Sequence, residues 1–196
     1  MKKRSIIIGI FIVLLCAAWV WRYTTLNHVY KNLCAQKELH EIGDVVPFGQ
    51  DYIGGARIDG YSLRVDQFDI VDFDEYISGS NLVDIDDYPS HPEKLALTYI
   101  TLSNENSDAE GVMLIDLALH GIDNYAGLDW DLLVKLNPVL QGNFGIHLSH
   151  NTEYKLVLPF DLQKAYFGSD TWRHLDKYPM YLHMTSFPME KDIKVQ

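Results

Sequence analysis

A chain of 196 residues is long enough to bury a hydrophobic core without disulfides or a structural metal. Its formal net charge of −11 at pH 7 argues against nucleic acid as a partner, because an acidic surface repels phosphate backbones. The two cysteines, Cys16 and Cys34, lie within and just after an apolar N-terminal run, which excludes a disulfide framework in the rest of the chain.

The first 22 residues combine positive charge with a long apolar run. Three basic residues at positions 2–4 precede the run from Ile6 to Trp21, and Arg22 follows it. This order predicts a membrane anchor with the N-terminus in the cytoplasm and the remaining chain outside. A cleaved signal peptide is the alternative, and it would make the protein secreted. A lipoprotein is disfavoured because Leu15 precedes Cys16.

The chain divides into three predicted segments. Residues 1–22 form a signal-anchor or signal peptide, 23–44 a helical stalk or linker, and 45–196 an extracytoplasmic β-rich domain. From Tyr23 to about His40 the apolar residues recur at helical spacing. Their stripe fits either a stalk that continues the anchor or a helix that packs on the domain.

Beyond Asp44 the apolar residues alternate with a period of two. In the stretch 61–74 the alternation changes phase between Val65 and Phe68, which predicts a β-bulge. Residues 95–102 are apolar on both faces and predict a central strand. Turn-forming residues at 104–111 predict a hairpin that returns through 112–119.

The remaining segments complete the predicted sheet. Residues 81–92 read as a long loop with two prolines, and 161–172 as a connection that holds a short helical turn. Strands are predicted at 129–136, 153–159 and 180–187, with an edge strand at 193–195. Several short strands separated by turns predict an all-β, antiparallel sandwich.

Acidic residues suggest one metal hypothesis. Asp123, Asp129 and Asp131 flank Gly127, and carboxylates around a glycine turn are the ligands that Ca²⁺ prefers. Ca²⁺ is the one cofactor that the sequence suggests, and a solvated acidic surface is the alternative. His147 and His150 lie three apart without a His-Glu-x-x-His motif, so no zinc site is predicted.

Catalytic motifs are absent from the sequence. There is no Gly-x-Ser-x-Gly elbow and no phosphate-binding glycine loop, and Cys34 lies in the predicted stalk. The chain is therefore predicted not to be an enzyme. Aromatic residues give the remaining signal: Trp130, Trp172 and Tyr166 are candidates for a binding surface, with core packing as the alternative.

Four stretches carry a resemblance to a known class of domains: 95–107, 111–117, 154–160 and 180–188. Together they resemble immunoglobulin-like β-sandwich families of unknown function from exported or membrane-anchored Gram-positive bacterial proteins. The resemblance covers about Val45 to Val195. It implies an anchored or secreted sandwich without an established activity, and it transfers no functional residues.

The predicted function is a non-catalytic binding module at the bacterial cell envelope, with an envelope protein or a carbohydrate as partner. One alternative is an envelope hydrolase or metal-dependent enzyme, which predicts that carboxylates and histidines converge in one cleft with shifted pKa values. The other alternative is a purely structural stalk domain, which predicts no concave aromatic surface.

Overall fold

The computed structural model describes residues 2–33, 36–51, 58–80, 91–106, 110–122 and 124–196. The chain divides into two compact units, Met1–Ala35 and Gln36–Gln196. Helix α1 (Lys2–Leu33) belongs to the first. Among the described residues, no helix combines the length and apolar character needed to cross a membrane. The helix predicted to run to about His40 is wrong in its last part, because a strand begins at Gln36.

The second unit is mostly β. Its strands and helices, in chain order, are β1 (Gln36–Glu41), β2 (Val46–Pro47), β3 (Tyr61–Asp72), α2 (Phe73–Ser80), β4 (Lys94–Asn104), β5 (Val112–Met113), β6 (Ala118–His120), β7 (Tyr125–Ala126), α3 (Trp130–Leu136), β8 (Gly145–Ile146), β9 (Thr152–Leu162), α4 (Ser169–Arg173), β10 (Tyr181–Thr185) and β11 (Met189–Lys194). The three helices correct the all-β prediction, although strands dominate this unit.

The described strands form two larger sheets and one small one. The five-stranded sheet has the order β1-β11-β10-β6-β7, the four-stranded sheet β2-β3-β4-β9, and β5 pairs with β8. Strand β1 is parallel to β11, whereas the other strand pairs are antiparallel. The purely antiparallel prediction is therefore wrong. A short turn between two strands requires them to be antiparallel, whereas a long connection allows either direction. Most of this unit lies between β1 and β11, so these two strands can pair in parallel.

Both larger sheets contribute to one buried cluster. Leu63, Leu102 and Phe160 come from the four-stranded sheet, and Leu182 and Ile193 from the five-stranded sheet. A smaller cluster lies on the other face of β4, where α2 and α3 cover its odd-numbered leucines. The central position predicted for the 95–102 segment is confirmed, since β4 lies between β3 and β9.

A β-bulge interrupts the pairing of β3 with β4. The register shifts between Val65 and Gln67, where the sequence predicts it. Leu63 and Val65 are fully buried before the bulge, and Phe68 and Ile70 pack against the same core after it. The extra residue explains how apolar residues on two phases reach one face.

The predicted hairpin between 95–102 and 112–119 is wrong. Strand β4 pairs with β3 and β9 instead, which are 12 and 11 residues long. Such long partners satisfy nearly every backbone group of β4. The segment 112–119 is divided by a 3₁₀ turn at Leu114–Asp116, so its two short strands join other sheets.

The connection after β9 and the C-terminal strand β11 bear on two further predictions. The helical turn expected within 161–172 is confirmed by a 3₁₀ turn at Lys164–Tyr166 and by α4. The edge strand expected at 193–195 is wrong, because β11 lies between β1 and β10. Its outer side is covered by β1, a segment for which the sequence predicts helix.

Tyr61 anchors the loop before β9 to β3. Its buried hydroxyl accepts a hydrogen bond of 2.9 Å from the Leu148 N–H, and Asn104 donates one of 2.8 Å to the Leu148 carbonyl. We expect Tyr61→Phe to lower the free energy of unfolding by about 1–3 kcal/mol, because the buried amide loses its acceptor. Urea denaturation measures the loss. Tyr154→Phe on the exposed part of β9 should change little, and equal effects of both would contradict this account.

Candidate functional site

The outer face of the five-stranded sheet carries a group of ionisable side chains. Leu119, Leu182 and Ile193 of β6, β10 and β11 point into the core. Because side chains alternate along a strand, their neighbours His120, His183 and Asp192 point to the opposite face. The sheet thus places two histidines and one carboxylate together on the side away from the main core.

Asp192 is the centre of this group. Its side chain is 0% exposed. Its Oδ1 lies 2.8 Å from His183 Nδ1, and its Oδ2 lies 3.2 Å from His120 Nε2. The Lys37 ammonium group lies 2.6 Å from the same Oδ2 and 2.9 Å from Glu190 Oε1. A buried carboxylate is therefore surrounded by one cation and two imidazoles.

Strand register brings these residues together. His183 lies directly opposite Asp192 in the β10–β11 pair, and His120 lies opposite Tyr181 in the β6–β10 pair. Lys37 is paired with Glu190 in the parallel β1–β11 ladder. Residues from four adjacent strands thus surround one carboxylate, and the backbone ladder fixes their spacing.

The outer ring nitrogens of the histidines also have partners. His183 Nε2 lies 2.9 Å from Ser186 Oγ, and His120 Nδ1 lies 3.3 Å from the Gly121 carbonyl oxygen. The His120 ring stacks on Tyr181 and Tyr125, with centroid separations of 5.4 and 6.3 Å. These contacts hold both imidazoles in defined orientations.

Electrostatics keep Asp192 ionised. Burial alone would raise the pKa of its carboxyl, but the hydrogen bonds from His183 and Lys37 and the charges of His120 and Lys37 outweigh it and lower the pKa to about 2. The hydrogen bonds to Asp192 and Glu190 raise the pKa of Lys37. Both groups are therefore charged at neutral pH.

A cleft of about 460 Å³ opens over this group. Of the described residues, seven line it: His120, Gly121, Ile122, Asn124, Tyr125, His183 and Glu190. The Tyr125 side chain is 64% exposed, and Ile122 is also exposed. The volume lies within the range of small-molecule pockets in proteins. The hypothesis of a purely structural stalk domain predicts no such concave surface with an exposed aromatic ring.

The aromatic candidates from the sequence lie elsewhere. The Trp130 ring packs edge-on against Phe144 at 4.6 Å, and the Trp172 ring packs against Phe167 at 5.5 Å. Tyr166 is 64% exposed and follows β9 in a 3₁₀ turn. The two tryptophans thus belong to different ring contacts. The described lining of the cleft includes none of the three.

The acidic candidates for calcium are partly engaged in a helix. Asp123 lies outside the described residues. Asp129 is buried and caps α3, where its Oδ1 accepts a hydrogen bond of 2.9 Å from the Leu132 N–H. Asp131 is exposed in the first turn of the same helix. The strand predicted at 129–136 is therefore wrong, because the aspartate cap favours a helix.

We expect Asp129→Ala to lower the free energy of unfolding by about 1 kcal/mol, because the Leu132 N–H at the helix start loses its acceptor. Thermal denaturation with and without added Ca²⁺ measures both roles. Asp131→Ala, one residue later and exposed, is the matched control. A Ca²⁺-dependent stabilisation of wild type that Asp129→Ala abolishes would make Asp129 a ligand instead of a cap alone.

The sequence contains a signal for the observed group that local motifs did not reveal. Leu119-His120, Leu182-His183-Met184 and Asp192-Ile193 each place a polar residue between or beside core residues. A histidine on the outer face of an otherwise apolar strand is such a signal. Its meaning depends on which strands are neighbours, and this requires the sheet order.

Comparison with known proteins identifies the family. The family described as "domain of unknown function" (DUF5028) matches residues 37–191. The chain belongs to the DUF5028 family. The matched range includes Lys37, His120 and His183 and ends one residue before Asp192. No curated protein matches the chain.

A solved structure is also similar to this DUF5028 chain. It is the crystal structure of the yjhA protein from Bacillus subtilis, with 12% sequence identity and a TM-score of 0.44. The match covers 79% of this chain and 98% of that one. A likeness of this size supports no conclusion about the site. Membership of a family of unknown function is confirmed, while the immunoglobulin-like topology and the Gram-positive, exported origin stay predictions.

Proposed function

We propose that this DUF5028 domain is a non-catalytic binding module of the bacterial cell envelope and that its ligand occupies the cleft beside His120 and Tyr125. The observation that carries the proposal is the open cleft of about 460 Å³, which is lined by an exposed tyrosine together with polar side chains. Such a combination of an aromatic face with a few hydrogen-bonding groups is typical of ligand sites.

The size and lining of the cleft favour a cell-wall carbohydrate as the ligand. A stable protein partner typically covers about 800 Å² of surface on each side, which is more than a cleft of this kind offers. The cleft volume of about 460 Å³ is instead typical of small-molecule pockets. Tyr125 offers a ring face, and Asn124 and Glu190 offer hydrogen-bonding groups beside it. An envelope protein is the alternative partner.

The proposed placement outside the cytoplasm depends on the sequence. The basic residues 2–4 and the apolar run 6–21 support either a membrane anchor or a secretion signal. Two sheets that share one core support a sandwich, of which the immunoglobulin-like type is the proposed variant.

Binding to purified bacterial peptidoglycan tests this proposal. The full-length protein in detergent is sedimented with peptidoglycan, and the bound fraction gives the affinity. Tyr125→Ala should weaken binding about tenfold, the loss expected for an aromatic anchor. Tyr166→Ala is the matched control, because both tyrosines are 64% exposed.

Each result has a definite meaning. A loss confined to Tyr125→Ala supports the cleft as the ligand site. A loss confined to Tyr166→Ala moves the site to the surface that the sequence predicts and overturns the structural assignment. If wild type does not sediment with peptidoglycan, the carbohydrate proposal fails.

A second candidate function is supported by one specific observation. Ser186 Oγ lies 2.9 Å from His183 Nε2, and His183 Nδ1 lies 2.8 Å from Asp192 Oδ1. This is the connectivity of a Ser-His-Asp triad. Ser186 would attack an ester carbonyl as its proton passes to His183. His183 would then protonate the departing alcohol, and water would release the acyl group.

Hydrolysis of p-nitrophenyl acetate distinguishes the two functions. A triad predicts turnover by wild type and at least about a thousandfold loss in Ser186→Ala and in His183→Gln. His174→Gln, at an exposed position, controls for solution catalysis by imidazole. Activity that depends on Ser186 would overturn the non-catalytic proposal. A rate that Ser186→Ala leaves unchanged would reject the triad.

A further inference from the structure

We infer that His120, His183 and Asp192 bind one divalent transition-metal ion of the zinc type. One ligand atom from each residue lies within 4.8 Å of the others. Two imidazoles and one carboxylate are the ligands that zinc commonly takes at sites that keep an open position. The inference goes beyond carbohydrate binding and does not depend on it.

Distances around Asp192 suit a metal ion. Ligand atoms of tetrahedral zinc stand about 3.3 Å apart, since each bond is about 2.0–2.1 Å long. The two histidine nitrogens lie 2.8 and 3.2 Å from the carboxylate oxygens. The first is measured to Oδ1 and the second to Oδ2. The three ligand atoms lie within 4.8 Å of one another, so metal binding requires the two imidazoles to move closer together.

The hydrogen bond of His120 to Gly121 determines which ring nitrogen can bind a metal ion. A carbonyl oxygen can only accept, so His120 Nδ1 carries the proton in this bond. In the neutral ring the lone pair is then on Nε2, which faces Asp192 Oδ2 at 3.2 Å. That nitrogen is therefore placed to donate its lone pair to a metal ion that Asp192 also binds.

The outer contacts of both histidines match those of metal ligands. A histidine that binds metal through one nitrogen nearly always has its other nitrogen held by a protein group or water. Here the Gly121 carbonyl holds His120 and the Ser186 hydroxyl holds His183. These contacts fix the ring orientations before any metal arrives.

Lys37 is the competitor of the metal ion. Its ammonium group lies 2.6 Å from Asp192 Oδ2, where it compensates the charge that a metal would compensate. The Lys37 side chain is 51% exposed, so it can turn into solvent when a metal binds. Removing the Lys37 charge should therefore increase the metal affinity. An ion pair with a structural role alone would not give this result.

Three protein ligands leave one coordination position free. The cleft lies over the two histidines, so water or a ligand from the cleft can occupy this position. The chemical class of that ligand is a neutral or anionic oxygen donor, such as a hydroxyl or carboxylate group.

Metal titration of the full-length, chelator-treated protein tests the inference. Isothermal titration with Zn²⁺ measures affinity and stoichiometry, and the visible spectrum of the Co²⁺ form reports the coordination geometry. Wild type should bind one ion. His120→Gln and His183→Gln should each weaken binding more than about a hundredfold, since loss of an outer contact alone costs 10–100-fold. Lys37→Gln should tighten binding about tenfold, because the competing charge is removed.

Control variants make each outcome decisive. His174→Gln, at an exposed histidine that is not part of this group, should bind as wild type does. Circular dichroism verifies that each variant is folded. Equal affinity in wild type, His120→Gln and His183→Gln, or no stoichiometric binding by wild type, would overturn the inference. Failure to bind peptidoglycan leaves this measurement unaffected, so the two proposals can fail separately.

Discussion

Replacing Lys191 with methionine is expected to lower the free energy of unfolding by about 3–5 kcal/mol. The Lys191 ammonium group lies 2.6 Å from Asp51 Oδ2 and donates to the carbonyl oxygens of Pro47 and Phe48, at 2.7 and 3.2 Å. Its side chain is 8% exposed. Methionine keeps the apolar stem but leaves the Asp51 carboxylate and two carbonyls without their donor, and this causes the loss.

Urea denaturation of the full-length protein, followed by circular dichroism, measures this effect. Lys177→Met is the matched control at an exposed position and should change stability by less than about 0.5 kcal/mol. Adding Asp51→Asn to Lys191→Met should recover part of the loss, because the stranded carboxylate is removed. A loss below about 1 kcal/mol in Lys191→Met would show that the buried pair contributes little.

Acid should destabilise the metal-free protein by about 2 kcal/mol through Asp192. Burial raises the folded-state pKa of this carboxyl, but the hydrogen bonds from His183 and Lys37 and the charges of His120 and Lys37 outweigh burial and lower the pKa from 3.8 to about 2. Glu190 lies beside Lys37. The folded state therefore prefers the charged carboxylate. This contribution is present in full above the unfolded-state pKa and disappears as the pH falls from about 4 through about 2.

Unfolding free energies measured between pH 7 and pH 2 in the presence of a chelator check this expectation. Asp192→Asn should lose a similar amount at pH 7 and should show a correspondingly smaller decrease in acid. Asp170→Asn, whose side chain is 86% exposed, is the control. The assignment is wrong if Asp192→Asn keeps the acid dependence of wild type.

Local patterns predicted those parts of the fold that are locally determined. The double-faced apolar segment around Ile100 indicated a central strand, and the phase change after Val65 indicated the bulge. Helix α3 was missed because its three leucines also fit a strand, and the competing signal from the Asp129 cap decides the local structure. Residue propensity and hydrophobic period alone do not distinguish a helix from a strand in so short an apolar segment.

Strand pairing could not be predicted in the same way. The segment at Val112 follows β4 through turn residues, yet it pairs with β8, and β4 takes two longer partners. The sequence predicts helix for β1, because the helical spacing of apolar residues around Leu33 extends into this segment. The segment forms a strand instead, because it pairs with β11. Tertiary contacts override local preference at both places.

The candidate site was the least accessible to sequence reasoning. Lys37 and Glu190 are in contact across 153 positions of the chain, and His120 and Asp192 across 72. His183 and Asp192, only nine positions apart, could have been paired from a hairpin turn at Phe187-Pro188. The aromatic candidates Trp130 and Trp172 follow from residue type, and residue type does not show which rings contact one another and which line a cleft.

The parallel pairing of β1 with β11 has a consequence for the order of folding. Contacts between Lys37 and Glu190 close a loop of 153 residues, the kind of long-range contact that slows folding. The four-stranded sheet consists of neighbours that meet over shorter loops and can assemble earlier. The outer face of the five-stranded sheet is complete only when β11 pairs with β1. We therefore expect Asp192 to become buried late in folding, after the four-stranded sheet has formed.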